Sequence, residues 1–259
     1  MPLPYTGQNG ELNFEADVVE LLKKARWEHE VLKNKTIPEL IDNWKDILFE
    51  RNRTTLNNVP LSSDEMDRVM DVVRLQANTP VKANHFVNGR PIAIKRDSDS
   101  PDKQHAGHEV YLDLFSATEI AGGSSRYQIA EQTYFSTDPQ FNDRRGDITL
   151  LINGMPVIHI ELKASGVNVY EASNQIVKYA NEGVWSGFLG LVQVFWAMTP
   201  EDALFFANAG NPTAFNSAFF FRWGDRDNNV IKDWRELITG EYHILYSRST
   251  QADRLLYRC

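Results

Sequence analysis

The sequence predicts an α/β fold, a central mixed sheet of about five or more strands flanked by helices. Three observations lead there. Residues 146–183, GDITLLINGMPVIHIELKASGVNVYEASNQIVKYANEG, read as strand, tight turn, strand, short loop and helix. Two more apolar runs, QVFWAM and ALFFANA, flank Thr199-Pro200-Glu201-Asp202, a turn that closes the sheet with a hairpin. The first third of the chain carries helical periodicity instead.

Taken in order, residues 11–33 predict a helix with Phe14, Val18, Leu21, Leu22 and Ala25 on the buried side. Glu15 shares a side with Val19 and Leu22 and leans inward, while His29 reads as a solvated helix residue. A second helix starts at Thr36, with Pro38 just inside, and runs to about Asn52. Ser62-x-x-Glu65 forms a capping box that opens a third ahead of Met66, Val69, Met70 and Val73. These helices pack the flank of the sheet. Residues 95–108, KRDSDSPDKQHAGH, predict a mobile surface loop between the apolar segment Arg90 to Ile94 and the strand EVYLDLF. Its His105 and His108, with Asp97, Asp99 and Asp102, repeat no metal-ligand spacing, so the reading is solvation. Residues 126–135 alternate as a strand, with Glu131 and Gln132 assigned to a solvated edge rather than to a cleft.

The hairpin carries the chemistry. Asn153-Gly154 is a strong turn signal, because both residues tolerate positive φ. In VIHIELK, Ile158, Ile160 and Leu162 point one way, and His159, Glu161 and Lys163 the other. A two-residue loop would put Asp147 and Glu161 on opposite faces. A three-residue loop, Asn153 to Met155, would put Asp147 directly opposite Glu161, with Lys163 on the same face. The expectation is the three-residue loop. Two carboxylates with β-carbons roughly 5 Å apart repel unless a divalent cation lies between them. Oxygen ligands of this kind suit Mg²⁺ or Mn²⁺. Gln175 and Tyr179, four apart, share one face of the next helix, which Asn168 or a nearby polar group caps and Gly183 ends.

At this point the stretch resembles a known family. Asp147 with Glu161-Leu162-Lys163 is similar to the catalytic motif of the PD-(D/E)xK nuclease superfamily. Gln175-Ile-Val-Lys-Tyr179 resembles the QxxxY element that accompanies it in the restriction (HsdR) subunit of type I restriction-modification enzymes, and LLINGMPVIHIELKASG resembles that subunit's version of the motif. Gly146 stands where the superfamily usually has Pro, and His159 where a glutamine is expected. The resemblance is sharp over 141–183 and follows the order of elements over most of the rest. It implies a restriction-endonuclease-like fold in which Asp147 and Glu161 hold Mg²⁺ together with the Leu162 carbonyl. Lys163 orients or deprotonates water, or stabilises transition-state charge. Gln175 and Tyr179 lie beside the site, contacting DNA or holding the lysine. Glu15 matches a glutamate that faces the active site; a first-turn acid favoured by the helix dipole is the other reading.

The resemblance also implies double-stranded DNA as substrate and the modification and specificity subunits as partners. ATP would serve only a motor elsewhere in the same subunit. The whole chain, 1–259, reads as one endonuclease domain with a core at about 109–200. Helices 11–75 pack on that core, and 201–259 lead toward the motor; the chain itself contains no G-x-x-x-x-G-K-[ST] loop. In this reading one unit nicks one strand.

Composition narrows the partners. With 27 Lys and Arg against 35 Asp and Glu, the net charge is −8. That counts against strong DNA binding by the domain alone, because phosphate neutralisation supplies most non-specific affinity. Two rival readings stay open, a non-catalytic docking or assembly module and a free-standing nuclease: the complete motif favours activity over the first, and the acidic balance favours dependence on partners over the second. The single cysteine, Cys259, the lack of a signal-peptide pattern and the absence of an apolar run of ~18 residues point to a reducing cytoplasm and no membrane. The aromatic tail, Phe219, Phe220, Phe221, Trp223 and Trp234, interleaved with arginines, reads as burial against the core or a neighbouring domain rather than as base stacking.

Overall fold

The computed structural model describes residues 5–239, apart from 26, 88, 116–124, 137–143, 226 and 228. Cys259 and the tail beyond 239 lie outside the described residues. Helix α1 spans Gly10–Lys24. Its Asn9 N-cap makes no side-chain bond, so burial rather than capping holds it. Phe14, Val18 and Leu22 are fully buried, each contributing about 1.5–3 kcal/mol.

The expected helix over 11–33 therefore ends early. Residues Val31–Lys33 form strand β1, parallel to β4 (Tyr127–Tyr134). Trp27 packs edge-on against Tyr127 and the Glu28 N–H donates to the Tyr127 carbonyl at 2.8 Å. Pairing with a strand about a hundred residues away overrides the local helical pattern. His29 is exposed, but beyond the helix.

Helices α2 (Ile37–Arg51) and α3 (Ser63–Gln76) start where the caps predict. Thr36 with Glu39, and Ser62 with Glu65, form complete capping boxes. Helix α4 (Pro80–Val87) follows. Strands β2 (Ile92–Lys95) and β3 (Glu109–Leu112) pair antiparallel as a separate two-stranded sheet. The segment between them departs from the expected mobile loop. Arg96 is buried in an ion pair with Glu65 at 2.8 Å, and Asp102 accepts from Asn57 at 2.9 Å. A charged segment is ordered here because α3 and the chain after α2 supply partners for its charges.

Among the described residues the main sheet has six strands in the order β1-β4-β5-β6-β7-β8, with β5 Arg145–Ile152, β6 Met155–Leu162, β7 Val194–Met198 and β8 Ala203–Ala207. β1/β4 and β6/β7 are parallel and the other pairs antiparallel, so the sheet is mixed. The Thr199–Asp202 turn joins β7 to β8, Thr199 Oγ1 accepting from the Asp202 N–H at 3.1 Å. β4 is an interior strand, which corrects the edge assignment for Glu131 and Gln132.

Ile148, Leu150, Ile158, Ile160 and Leu162 form one core with α1. Leu151 and Met155 pack with α2, α3 and the small sheet. Helix α5 (Val169–Asn181) covers Phe195, Ala197 and Phe206. β6 is buried along its whole length, with His159 and Glu161 as its polar residues. Helix α6 (Trp234–Thr239) returns Trp234 onto Phe14 at 5.2 Å, whereas Phe219 and Phe221 remain exposed.

Candidate active site

The geometry begins at the hairpin turn. Ile152 pairs with Met155, so the loop is the two residues Asn153 and Gly154, with φ of 51° and 84°. This corrects the three-residue expectation. Gly154 meets a double constraint, because a Cβ there would lie 2.8 Å from Trp44 Cδ1. The extra residue sits further along as a β-bulge. Leu151 pairs with Pro156 but Leu150 with Ile158, leaving Val157 unmatched. The bulge supplies the shift assigned to the loop. Ile148 pairs with Ile160, so the next position along, Asp147, lies level with Glu161 on one face.

The carboxylates are deeply placed. Glu161 is fully buried and Asp147 nearly so. Asp147 Oδ2 accepts from the Leu162 N–H at 2.7 Å. Glu161 Oε2 lies 3.1 Å from His159 Nε2. Its Oε1 is 3.8 Å from Lys163 Nζ, an electrostatic contact beyond hydrogen-bond range, and has no hydrogen-bond partner among the described residues. Lys163 leaves the end of β6, donating from Nζ to the Leu162 carbonyl at 3.0 Å and lying 3.5 Å from Glu11. The Leu162 carbonyl, expected beside the cation, accepts from this lysine and keeps a second lone pair.

Helix α1 brings Glu15 to the same place. It is buried, and both oxygens accept from Gln132 Nε2, at 2.8 and 2.6 Å. Gln132 lies level with Asp147 on β4, skipped between the pairs Glu131/Ile148 and Thr133/Gly146. Its φ of 55° puts it in a region that non-glycine residues seldom enter. No residue pattern announces that backbone twist, which is why the sequence places Gln132 at a solvated edge rather than beside Glu15. The sequence does not single out Glu11 either.

Burial pushes the Glu15 carboxyl up to about 8, with Asp147 repulsion next. Burial, partly offset by Lys163, likewise raises Glu161 to about 8. Asp147 is held well above the carboxylate range by burial and then by Glu161. Burial also pushes His159 down to about 3, so its ring is neutral.

On α5, Asn168 Oδ1 accepts from the Tyr170 N–H at 3.0 Å, and Gly183 follows the C-cap with φ 79°. Gln175 donates to the Tyr179 hydroxyl at 2.7 Å, which donates to the Arg145 carbonyl at 3.0 Å. Tyr179 thus fastens α5 to the start of β5, two residues before Asp147. Neither Gln175 nor Tyr179 makes a hydrogen bond to Lys163 among the described residues.

The donor set fits a divalent cation. Burial and mutual repulsion leave the carboxylates short of positive charge, and Glu161 Oε1 lacks a donor. Among the described residues no group of three or more His, Cys, Asp or Glu is disposed to enclose a metal ion. The remaining ligands would be water and substrate oxygen, as in sites for Mg²⁺.

A helix-flanked mixed sheet with this polar cluster at its central hairpin defines an α/β domain of the restriction-endonuclease-like class. The family described as the type I restriction enzyme R protein N terminus matches residues 11–214, and the chain belongs to it. Its sequence is similar to the type I restriction enzyme SsaAORF53P endonuclease subunit of Staphylococcus saprophyticus, 28% identical over 226 residues, 87% of this chain and 22% of that protein. The SauMSSORF170P endonuclease subunit of Staphylococcus aureus is 25% identical, covering 85% of this chain and 22% of its own length. The EcoprrI endonuclease subunit of Escherichia coli is 36% identical over 94 residues, 36% of this chain and 30% of that protein. The chain spans about a fifth of the length of the staphylococcal relatives. No described helix is long and apolar enough to cross a membrane.

Proposed function

We propose that the chain is the metal-dependent endonuclease domain of a type I restriction-modification restriction subunit, hydrolysing DNA phosphodiester bonds one strand per active site. The observation that carries this is Asp147 level with Glu161 at the strand end from which Lys163 emerges. Asp147 and Glu161 would hold Mg²⁺, which when bound neutralises phosphate charge and acidifies a water. Asp147 is fixed by the Leu162 N–H, so one of its oxygens is committed to the fold. Glu161 offers Oε1. Lys163 places a positive charge against this cluster, which supports charge stabilisation at the scissile phosphate. Glu15, oriented by Gln132, adds an acid that raises the need for a cation. Gln175 and Tyr179 hold the β5 entrance.

Net negative charge supports dependence on partners for DNA delivery. We infer those partners to be modification and specificity subunits and an ATP-driven translocating motor of the same subunit, in the cytoplasm.

The test is Mg²⁺ binding by calorimetry on wild type, Asp147→Ala and Lys163→Ala, with plasmid nicking on the same samples. Binding lost in Asp147→Ala and nicking lost in both is the expected result. Identical, metal-independent behaviour in all three would overturn the reading in favour of a docking module.

A further inference from the structure

His159 is fully buried on β6, and each of its ring nitrogens faces one partner. Nδ1 lies 3.1 Å from Thr149 Oγ1, and Nε2 lies 3.1 Å from Glu161 Oε2. Aromatic rings fix its plane, with centroids at 4.8 Å for Trp185, 5.8 Å for Phe135 and 6.4 Å for Phe195. The ring cannot swing away without opening that packing.

The residue before Asp147 belongs to the same arrangement. A Cβ on Gly146 would run into the Phe135 ring and lie 2.5 Å from His159 Cε1. Glycine at this position leaves the space that the imidazole edge needs. The two departures from the expected pattern, Gly146 and His159, are thus one packing solution.

An ionised carboxylate only accepts hydrogen bonds. With Glu161 ionised, Nε2 carries the proton and Nδ1 accepts from the Thr149 hydroxyl. Glu161 Oε2 is then committed to His159, and Oε1 alone lacks a donor.

We propose that His159 is a positioning residue of the nuclease site: held by Thr149, it pins Glu161 Oε2 so that Oε1 is turned toward the cation and the substrate. This rests on the reading of Glu161 as a cation ligand. The bland alternative is a packed histidine that merely satisfies its own ring, and it predicts no effect on cation affinity beyond that of lost stability. Partners in this position typically change metal affinity by about 10–100-fold.

The experiment measures Mg²⁺ affinity by calorimetry on the 259-residue chain as wild type, Asp147→Ala, Thr149→Val, His159→Gln and His159→Leu. The imidazole tautomer of Mg²⁺-loaded wild type is read by nitrogen-15 NMR. The expected result is an affinity about 10–100-fold weaker in His159→Leu, largely recovered in His159→Gln, with Thr149→Val in between and an Nε2–H tautomer in wild type. Wild-type affinity in His159→Leu, or an Nδ1–H tautomer, would overturn this inference while leaving the site reading intact. Wild type that binds no Mg²⁺ would overturn both. Should His159→Leu fail to fold, the wild-type tautomer and Thr149→Val still decide.

Discussion

Glu15 and Gln132 stand 117 residues apart in sequence, yet the Gln132 amide donates to both oxygens of the Glu15 carboxylate. Gln132 reaches it through a left-handed backbone in the interior of a strand, level with Asp147. Backbone strain of this kind costs about 1–3 kcal/mol and persists where the surroundings over-determine it.

Substitution at Gln132 therefore separates strain from function. Gln132→Gly relieves the φ constraint while removing the donor, so stability is expected to change by less than about 1 kcal/mol while nicking falls about tenfold or more. Gln132→Val keeps neither the amide nor a tolerable φ and is expected to cost about 2 kcal/mol or more. Urea unfolding and plasmid nicking on the two proteins check this, and equal nicking by Gln132→Gly and wild type would remove Gln132 from the site.

The buried carboxyls make stability depend on pH. Glu15 and Glu161 both ionise near 8 in the folded chain against an ordinary 4.5, and Asp147 is raised as well. Between those values the folded state keeps protons that the unfolded chain has released. This contribution is full below about 4.5 and is lost as pH rises through about 8. In EDTA, Tm should fall between pH 5.5 and 8.5, with a shallower fall in Glu161→Gln. Added Mg²⁺ should raise Tm at the high end and little at the low end, where protons compete with it. Parallel profiles for the two proteins would contradict the assignment.

Glu65 has three duties. Its Oε2 accepts from the Ser62 N–H, and its Oε1 accepts from the Asp97 N–H and pairs with Arg96, both side chains being 1% exposed. Breaking such a pair strands a buried charge. Glu65→Gln and Arg96→Met should each cost about 3–5 kcal/mol, and the double replacement less than the sum. Denaturant titration gives the three values.

Tyr179→Phe removes the hydroxyl between Gln175 and the Arg145 carbonyl. A loss of about 1–2 kcal/mol is expected from the unpaired groups left behind. Nicking should fall far less than in Asp147→Ala, because Tyr179 fastens the strand that bears Asp147 without touching its carboxylate. An effect as large as that of Asp147→Ala would mean that Tyr179 does more.

Much of this was legible because it is local. The helix start at Thr36, the capping box at Ser62, the positive-φ pair Asn153-Gly154 and the alternation of His159 and Glu161 with Ile158 and Ile160 are written in short stretches. Each follows from backbone sterics or hydrogen bonding within a few residues. The shared face of Asp147 and Glu161 was also reached, though by assigning the extra residue to the loop when it is the bulge at Val157. Either insertion shifts the register by one, so residue spacing alone does not distinguish them.

Local sequence suffices for the starts of α2, α3 and α5, the hairpin, the carboxylate and lysine triplet and the membership of a family. Long-range packing makes Val31–Lys33 leave the helix for a strand and pins the 96–108 segment through Arg96 and Asp102. It alone brought Gln132 to Glu15 and His159 to Glu161, with Gly146 making room. The physical reason is range. Caps and turns are set by neighbours along the chain, whereas the partners of a buried charge come from whichever element packs against it.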